Sequence, residues 1–249
     1  MITKDNLRDF LSCIGFQRLD SVKDEMTLHF DKVNCTISVD FTDEKINYPE
    51  GIEADRNTTK NFSAPENFVV LECIIRLLSQ GYKPENIVLE PKTPGGREDS
   101  NFYCDILIRD NEKRPYMLIE CKTMDSKEDD EFSKAWKKTL LDGGQLFNYY
   151  NTYRQAQYLV LYASDFVDGN PRCNYRLITM TDNKEYLESN PKLLSFEKVS
   201  ADNGTRDDFF RVWSETYGKD FATNGAFEVD VIPAFGVTKK KRRIGQIAG

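Results

Sequence analysis

The stretch from Phe102 to Lys122, FYCDILIRDNEKRPYMLIECK, constrains the fold of this chain more than any other. Two apolar runs, FYCDILIRD and PYMLIECK, flank the polar NEKR, a pattern that predicts consecutive antiparallel strands close to a hairpin. Apolar residues at successive positions place both strands inside a core. The second strand nevertheless carries Glu120 and Lys122, and a buried strand rarely holds opposite charges unless they pair or do chemistry. Side chains alternate along a strand, so Leu118, Glu120 and Lys122 share one face and Met117, Ile119 and Cys121 the other. Glu120 and Lys122 then project together, about 7 Å apart. The partner strand brings Asp105 at the start of DILI, with Ile106 and Ile108 on the opposite face. Two carboxylates and one lysine are expected to converge at one sheet edge.

The surrounding sequence supplies the rest of an α/β layer. Residues 4–14 read as a short helix, and MTLHFDKV, TISVDFTD and KINYPEGI as a small β-meander. EADRNTTKNFS reads as a polar connector. In APENFVVLECIIRLLSQGY, Pro65 and Glu66 suit a first helical turn, Ser63 its cap and Gly81 its end. Val70, Leu71, Ile74, Leu77 and Leu78 recur at helical spacing. NIVLEPK reads as a short strand and TPGGREDSN, with Arg97, as a turn-rich loop. After the hairpin, the charged run from Ser126 to Lys138 enters a helix broken at Gly143-Gly144, and a further helix carries QLFNYYNTY. AQYLVLYAS and YRLITM are additional strands, and DDFFRVWSETYG is one more helix. This order predicts an α/β fold with a central mixed β-sheet flanked by helices, plus a small β-rich N-terminal extension. Residues 1–60 form that extension, 61–181 the core, and 182–249 a C-terminal extension with a basic linker.

The converging charges suit phosphodiester hydrolysis. Paired carboxylates are hard ligands for Mg²⁺, and a lysine beside them can orient or deprotonate a water, or stabilise developing charge. In this respect the chain resembles the PD-(D/E)xK nuclease superfamily. Asp105 is followed, after fourteen residues, by Glu120-Cys121-Lys122, although Cys104 stands where the pattern has proline. Gln145 and Tyr149 in GGQLFNYY lie at i and i+4 on one helix face. They resemble the Q-x-x-x-Y motif of the nuclease domains in type I restriction-enzyme R subunits. The upstream PENFVVLECIIRLLSQGYKPENIVLE is similar to the opening helix and strand of that domain. The resemblance covers about residues 60–170 and extends to nuclease domains fused to N6-adenine methylases.

The resemblance implies a restriction-endonuclease-like core and Mg²⁺-dependent DNA cleavage, with Mn²⁺ able to substitute. Asp105, Glu120 and the Cys121 backbone carbonyl would hold metal, joined by either Glu66 or Glu72 from the first core helix. Lys122 would position or activate the attacking water, leaving a 5′-phosphate and a 3′-hydroxyl. Gln145 and Tyr149 would support the site and the DNA. The expected partners are double-stranded DNA and the motor, methylase or specificity modules of a restriction system, in cis or in trans. Neither G-x-x-x-x-G-K-[ST] nor N-P-P-Y occurs, so ATP binding by this chain is not expected. The chain reads as a detached domain, or as an N-terminal fragment whose partner begins after its basic tail. Two alternatives stay open: a repair or junction-resolving nuclease of the same superfamily, and a non-catalytic DNA-binding or assembly module.

Composition narrows the classes further. Six scattered cysteines without C-x-x-C, and one histidine, His29, argue against structural zinc, His-rich metal sites and a Ser-His-Asp triad. No apolar run approaches membrane-spanning length and the N-terminus lacks a signal-peptide pattern, so a cytoplasmic protein is expected. Net charge is −7, opposite in sign to a freestanding nucleic-acid binder, which fits dependence on partners for DNA engagement. Cations cluster at Lys239, Lys240, Lys241, Arg242 and Arg243, either a solvated tail or a nucleic-acid contact. Lys137, Lys138 and Arg154 read as a solvated helix face.

Overall fold

Seven strands in the order β11-β10-β9-β8-β7-β6-β5 make the central sheet, and a four-stranded sheet, β1-β2-β3-β4, lies N-terminal to it. The computed structural model describes residues 1–18, 23–92, 103–125, 130–142, 144–179 and 201–204. The loop with Arg97, most of the acidic run after Asp125, the helix expected over DDFFRVWSETYG and the basic cluster lie outside these residues. The α/β fold expected from the sequence, a mixed sheet with flanking helices and an N-terminal antiparallel sheet, is the one observed.

The N-terminal part comprises α1 (Leu7–Cys13), β1 (Gln17–Arg18), β2 (Glu25–Phe30), β3 (Cys35–Asp40) and β4 (Lys45–Asn47). Its strands are all antiparallel, as a meander requires. His29 is exposed on β2, with Nδ1 3.0 Å from Thr36 Oγ1, a surface strand histidine. The polar connector contributes β5 (Glu53–Ala54), which pairs in parallel with β6 (Ile87–Leu89) at the edge of the central sheet. A short 3-10 turn, Thr58–Lys60, follows it.

The long helix α2 (Pro65–Gln80) starts one residue later than a Ser63 cap requires. Ala64 occupies the N-cap in extended conformation, with no side-chain capping bond. Pro65 disfavours helical geometry at the residue before it, and so sets that boundary. Gly81 ends the helix at φ +99°, a left-handed conformation that glycine adopts at low cost. The helix is buried nearly all round, taking in Phe68, Val69, Cys73 and Ile75 besides the expected stripe. Such burial needs cover on two sides. The central sheet supplies one, through Met117, Ile119, Cys121, Val160 and Tyr162; the N-terminal region supplies the other, through Phe10, Ile37, Val39 and Phe62. Phe62 bridges Phe41 and Phe68 edge-to-face, with ring centroids 5.5 Å apart on each side.

β7 (Ile106–Arg109) and β8 (Pro115–Thr123) form the expected hairpin, Ile106 opposite Ile119 and Leu107 opposite Leu118. β8 runs parallel to β9 (Tyr158–Val167), and parallel neighbours need a crossover. Here α3 (Glu131–Asp142) and α4 (Gly144–Thr152) make that crossover and pack on the sheet face opposite α2, over Leu107, Leu118, Leu159 and Leu161. β10 (Asn170–Thr179) and β11 (Ala201–Gly204) extend the sheet antiparallel. Among the described residues, no helix is long and apolar enough to cross a membrane.

Candidate active site

Alternation along β8 sorts the side chains as the pattern predicts. Met117, Ile119 and Cys121 enter the α2 core, whereas Leu118 enters the core under α3 and α4. Glu120 is 2% exposed, and Lys122 Nζ stands 2.6 Å from Glu120 Oε1. The same ammonium lies 2.9 Å from Glu66 Oε1, in the first turn of α2. Asp105, just before β7, accepts the Cys121 N–H on Oδ2 at 2.6 Å, which ties its carboxylate to the β8 backbone beside Glu120. The structure therefore gathers Asp105, Glu120, Lys122 and Glu66.

Glu72 stands elsewhere. It is 1% exposed, pairs with Arg76 at 2.6 Å and accepts the Tyr162 hydroxyl, while Arg76 Nε donates to Tyr162 Oη at 2.9 Å. Of the two first-helix acids proposed from the sequence, Glu66 joins the cluster and Glu72 is held in a buried ion pair.

The helix after the hairpin closes over Glu120. Tyr149 on α4 is buried near Glu120, and Gln145 Nε2 donates to Tyr149 Oη at 3.3 Å. Gly144 lets α4 begin close to α3. It has φ +50°, and a Cβ there would stand 3.0 Å from Thr139 Oγ1. A cavity of about 130 Å³ opens between the two helices and the sheet, lined by Glu120, Lys138, Thr139, Gly144, Gln145 and Leu161.

Electrostatics in this cluster are strained toward negative charge. Burial raises the Asp105 carboxyl well above its ordinary range and Glu120 raises it further, while Lys122 and the Cys121 N–H only partly oppose the shift. Burial likewise raises Glu120 against the pull of Lys122 and the Tyr149 hydroxyl. For Lys122 burial works to lower the pKa, but Glu120, Asp105 and Glu66 outweigh it and hold the ammonium charged. Burial also pushes the Tyr149 hydroxyl up, as does the nearby Glu120, so it stays a neutral donor.

The donor set suits a hard divalent cation in two respects. Three carboxylates against one ammonium leave a formal excess of two negative charges. Glu120 Oε2 is buried without a hydrogen bond of good geometry, an acceptor with unused capacity. Among the described residues, no three His, Cys, Asp or Glu side chains stand together closely enough to hold a metal on their own.

A brace missed by the sequence reading holds Asp105 to α2. At the end of β6, Glu90 adopts φ +47° and donates its N–H to the Asp105 carbonyl at 2.9 Å. Its Oε2 accepts the Thr58 and Thr59 N–H groups at 3.0 and 3.3 Å, and Oε1 accepts the Thr58 hydroxyl. Asn67 Nδ2 donates to the Thr58 carbonyl at 2.8 Å, joining the same turn to the helix that carries Glu66. An acid directly after an apolar strand, beside a Thr-Thr connector, was the available signal, but nothing local names their partnership. Glu90→Ala would leave the Thr58 donors and the buried Thr59 donors without their acceptor, and a loss of about 2–4 kcal/mol is expected in urea denaturation.

Residues 69–164 match the family model for the Type I restriction enzyme R protein N terminus (HSDR_N). The match runs from α2 to β9 and contains Asp105, Glu120, Lys122, Gln145 and Tyr149; Glu66 lies just ahead of it. The resemblance expected from the sequence is shown for this segment. No curated protein matches the chain.

Proposed function

We propose, from a segment that matches the N terminus of type I restriction enzyme R proteins, that this chain carries a Mg²⁺-dependent DNA endonuclease of a type I-like restriction-modification system. The observation that carries the reading is the meeting of Asp105, Glu120, Lys122 and Glu66 at one sheet end, beneath Gln145 and Tyr149.

Asp105, Glu120 and the Cys121 carbonyl would hold Mg²⁺, with Glu66 beside them. When bound, the ion supplies Lewis-acid stabilisation of the phosphate and a more acidic water. Lys122, 2.6 Å from Glu120 and 2.9 Å from Glu66, would position or activate the attacking water and stabilise charge on the phosphate. Gln145 would hold Tyr149 beside Glu120. Target choice, and part of the DNA engagement, then rest with motor, methylase or specificity modules, consistent with a net charge of −7.

Cleavage of supercoiled plasmid by the purified chain, with Mg²⁺ or Mn²⁺ and with EDTA as control, tests the reading. Metal-dependent nicking or linearisation is expected. Tyr149→Phe removes only the hydroxyl that Gln145 bonds beside Glu120, and should slow cleavage roughly tenfold while leaving the unfolding midpoint nearly unchanged. Unchanged cleavage by that variant would remove Tyr149 from the site.

A further inference from the structure

Beyond Asp105, the β6–β7 ladder continues past the ends of both strands. Ile87, Val88 and Leu89 stand opposite Ile108, Leu107 and Ile106; Glu90 bonds the Asp105 carbonyl, and Lys92 bridges to Tyr103. Lys92 and Tyr103 therefore lie two rungs from Asp105, about 7 Å along the strand. The Arg56 guanidinium stacks over the Tyr103 ring, 3.4 Å from its centroid. Asp55, its neighbour, accepts the Lys92 N–H at 2.6 Å, and Tyr153, just past α4, donates its hydroxyl to the Lys92 carbonyl at 3.0 Å. These bonds fix the Lys92 backbone and tie Asp55 to it, and Arg56 and Lys92 are both exposed residues.

Their cationic heads differ from the ion-paired cations of the described residues. Lys4, Arg8, Lys45, Arg76, Arg109, Arg114 and Lys134 each sit on an acid. Arg56 and Lys92 have no ion pair among the described residues, in a protein of net charge −7. Exposed cations beside an aromatic ring match the two faces of a nucleic-acid strand, phosphate and base. A guanidinium already stacked on a ring keeps its edge donors free for phosphate.

We propose that Arg56, Lys92 and Tyr103 form a binding subsite for one DNA strand flanking the bond presented to Asp105, with the two cations on phosphates and the Arg56–Tyr103 stack against a base. The choice of ligand rests on the nuclease reading. Lys92 and Tyr103 meet across the ladder, and Arg56, brought in by the connector, joins them only in the folded chain.

The test is fluorescence anisotropy of a labelled single-stranded DNA oligonucleotide, with EDTA present so that binding is read without cleavage. Arg56→Ala and Tyr103→Ala should each weaken binding roughly tenfold, and Arg56→Lys by less. Lys92→Gln should lower the slope of log affinity against log salt by about one. Lys45→Gln, on the N-terminal sheet, should bind like the wild type, and circular dichroism confirms that each variant folds. The subsite is refuted if the wild type does not bind, if Arg56→Ala and Tyr103→Ala bind unchanged, or if Lys45→Gln loses as much. Plasmid cleavage by the wild type separates the two ideas. Arg56-dependent binding without metal-dependent cleavage sustains the subsite and defeats the nuclease reading; cleavage with Arg56-independent binding does the reverse.

Discussion

Lys122→Met is expected to lower metal-dependent plasmid cleavage by about a hundred- to a thousandfold, the scale set by removing a preorganised charge donor from a transition state. Methionine keeps the unbranched apolar stem, so the change isolates the ammonium. That ammonium lies 2.6 Å from Glu120 and 2.9 Å from Glu66, and burial alone would not keep it charged. Its loss also leaves Glu120 buried without its cation, so some stability should go with the activity. Urea denaturation separates the two effects, because a folded but inactive variant assigns the loss to chemistry. Asp105→Asn should be similarly inactive while keeping an oxygen to accept the Cys121 N–H. If both variants cut like the wild type, the catalytic assignment is wrong and the assembly-module alternative gains.

Arg76→Leu should destabilise the protein by about 3–5 kcal/mol, the cost of leaving one member of a buried ion pair uncompensated. For a domain of this size that lowers the melting temperature by on the order of 10 °C. Glu72 and Arg76 are almost fully enclosed, and Tyr162 completes a closed set of hydrogen bonds with them. Replacing both charges, as Glu72→Leu with Arg76→Leu, should recover much of the loss, since apolar side chains of similar volume can substitute for a buried pair. Manganese binding followed by electron paramagnetic resonance then distinguishes the two first-helix acids. Glu72→Gln should change stability and spare the ion, whereas Glu66→Gln should weaken ion binding and hardly change stability. The opposite outcome would return Glu72 to the metal site.

Much of the site was legible because a strand has a period of two. Apolar residues on either side of Glu120 and Lys122 showed that β8 is buried, and parity alone placed both charges on one face. The short NEKR link then made Asp105 a neighbour, since strands so closely connected pair antiparallel. Helical spacing likewise put Gln145 and Tyr149 on one face of α4, where they hydrogen-bond.

What stayed hidden were contacts between segments distant in sequence. Ser63 looked like a cap, but Pro65 moved the helix start by one residue. Residues 1–60 read as an extension, yet Phe10, Ile37 and Val39 share one core with α2, which explains why that helix is apolar well beyond a single stripe. Glu90 with Thr58 and Thr59, and Arg56 with Tyr103, meet across intervals that no local period links.

Glu66 and Glu72 show the division most clearly. Both are acids on one helix, and six residues of helix turn them to different sides. The docking of α2 between two sheets sent Glu66 to Lys122 and Glu72 to Arg76 and Tyr162. Sequence alone determined the paired strands, the face that carries Glu120 and Lys122, and the company of Asp105, because these follow from backbone periodicity and one short turn. Only the tertiary structure decided which distant acid joins them and which cations and ring lie two rungs beyond them, because packing across the whole core sets the angle at which each helix and connector arrives.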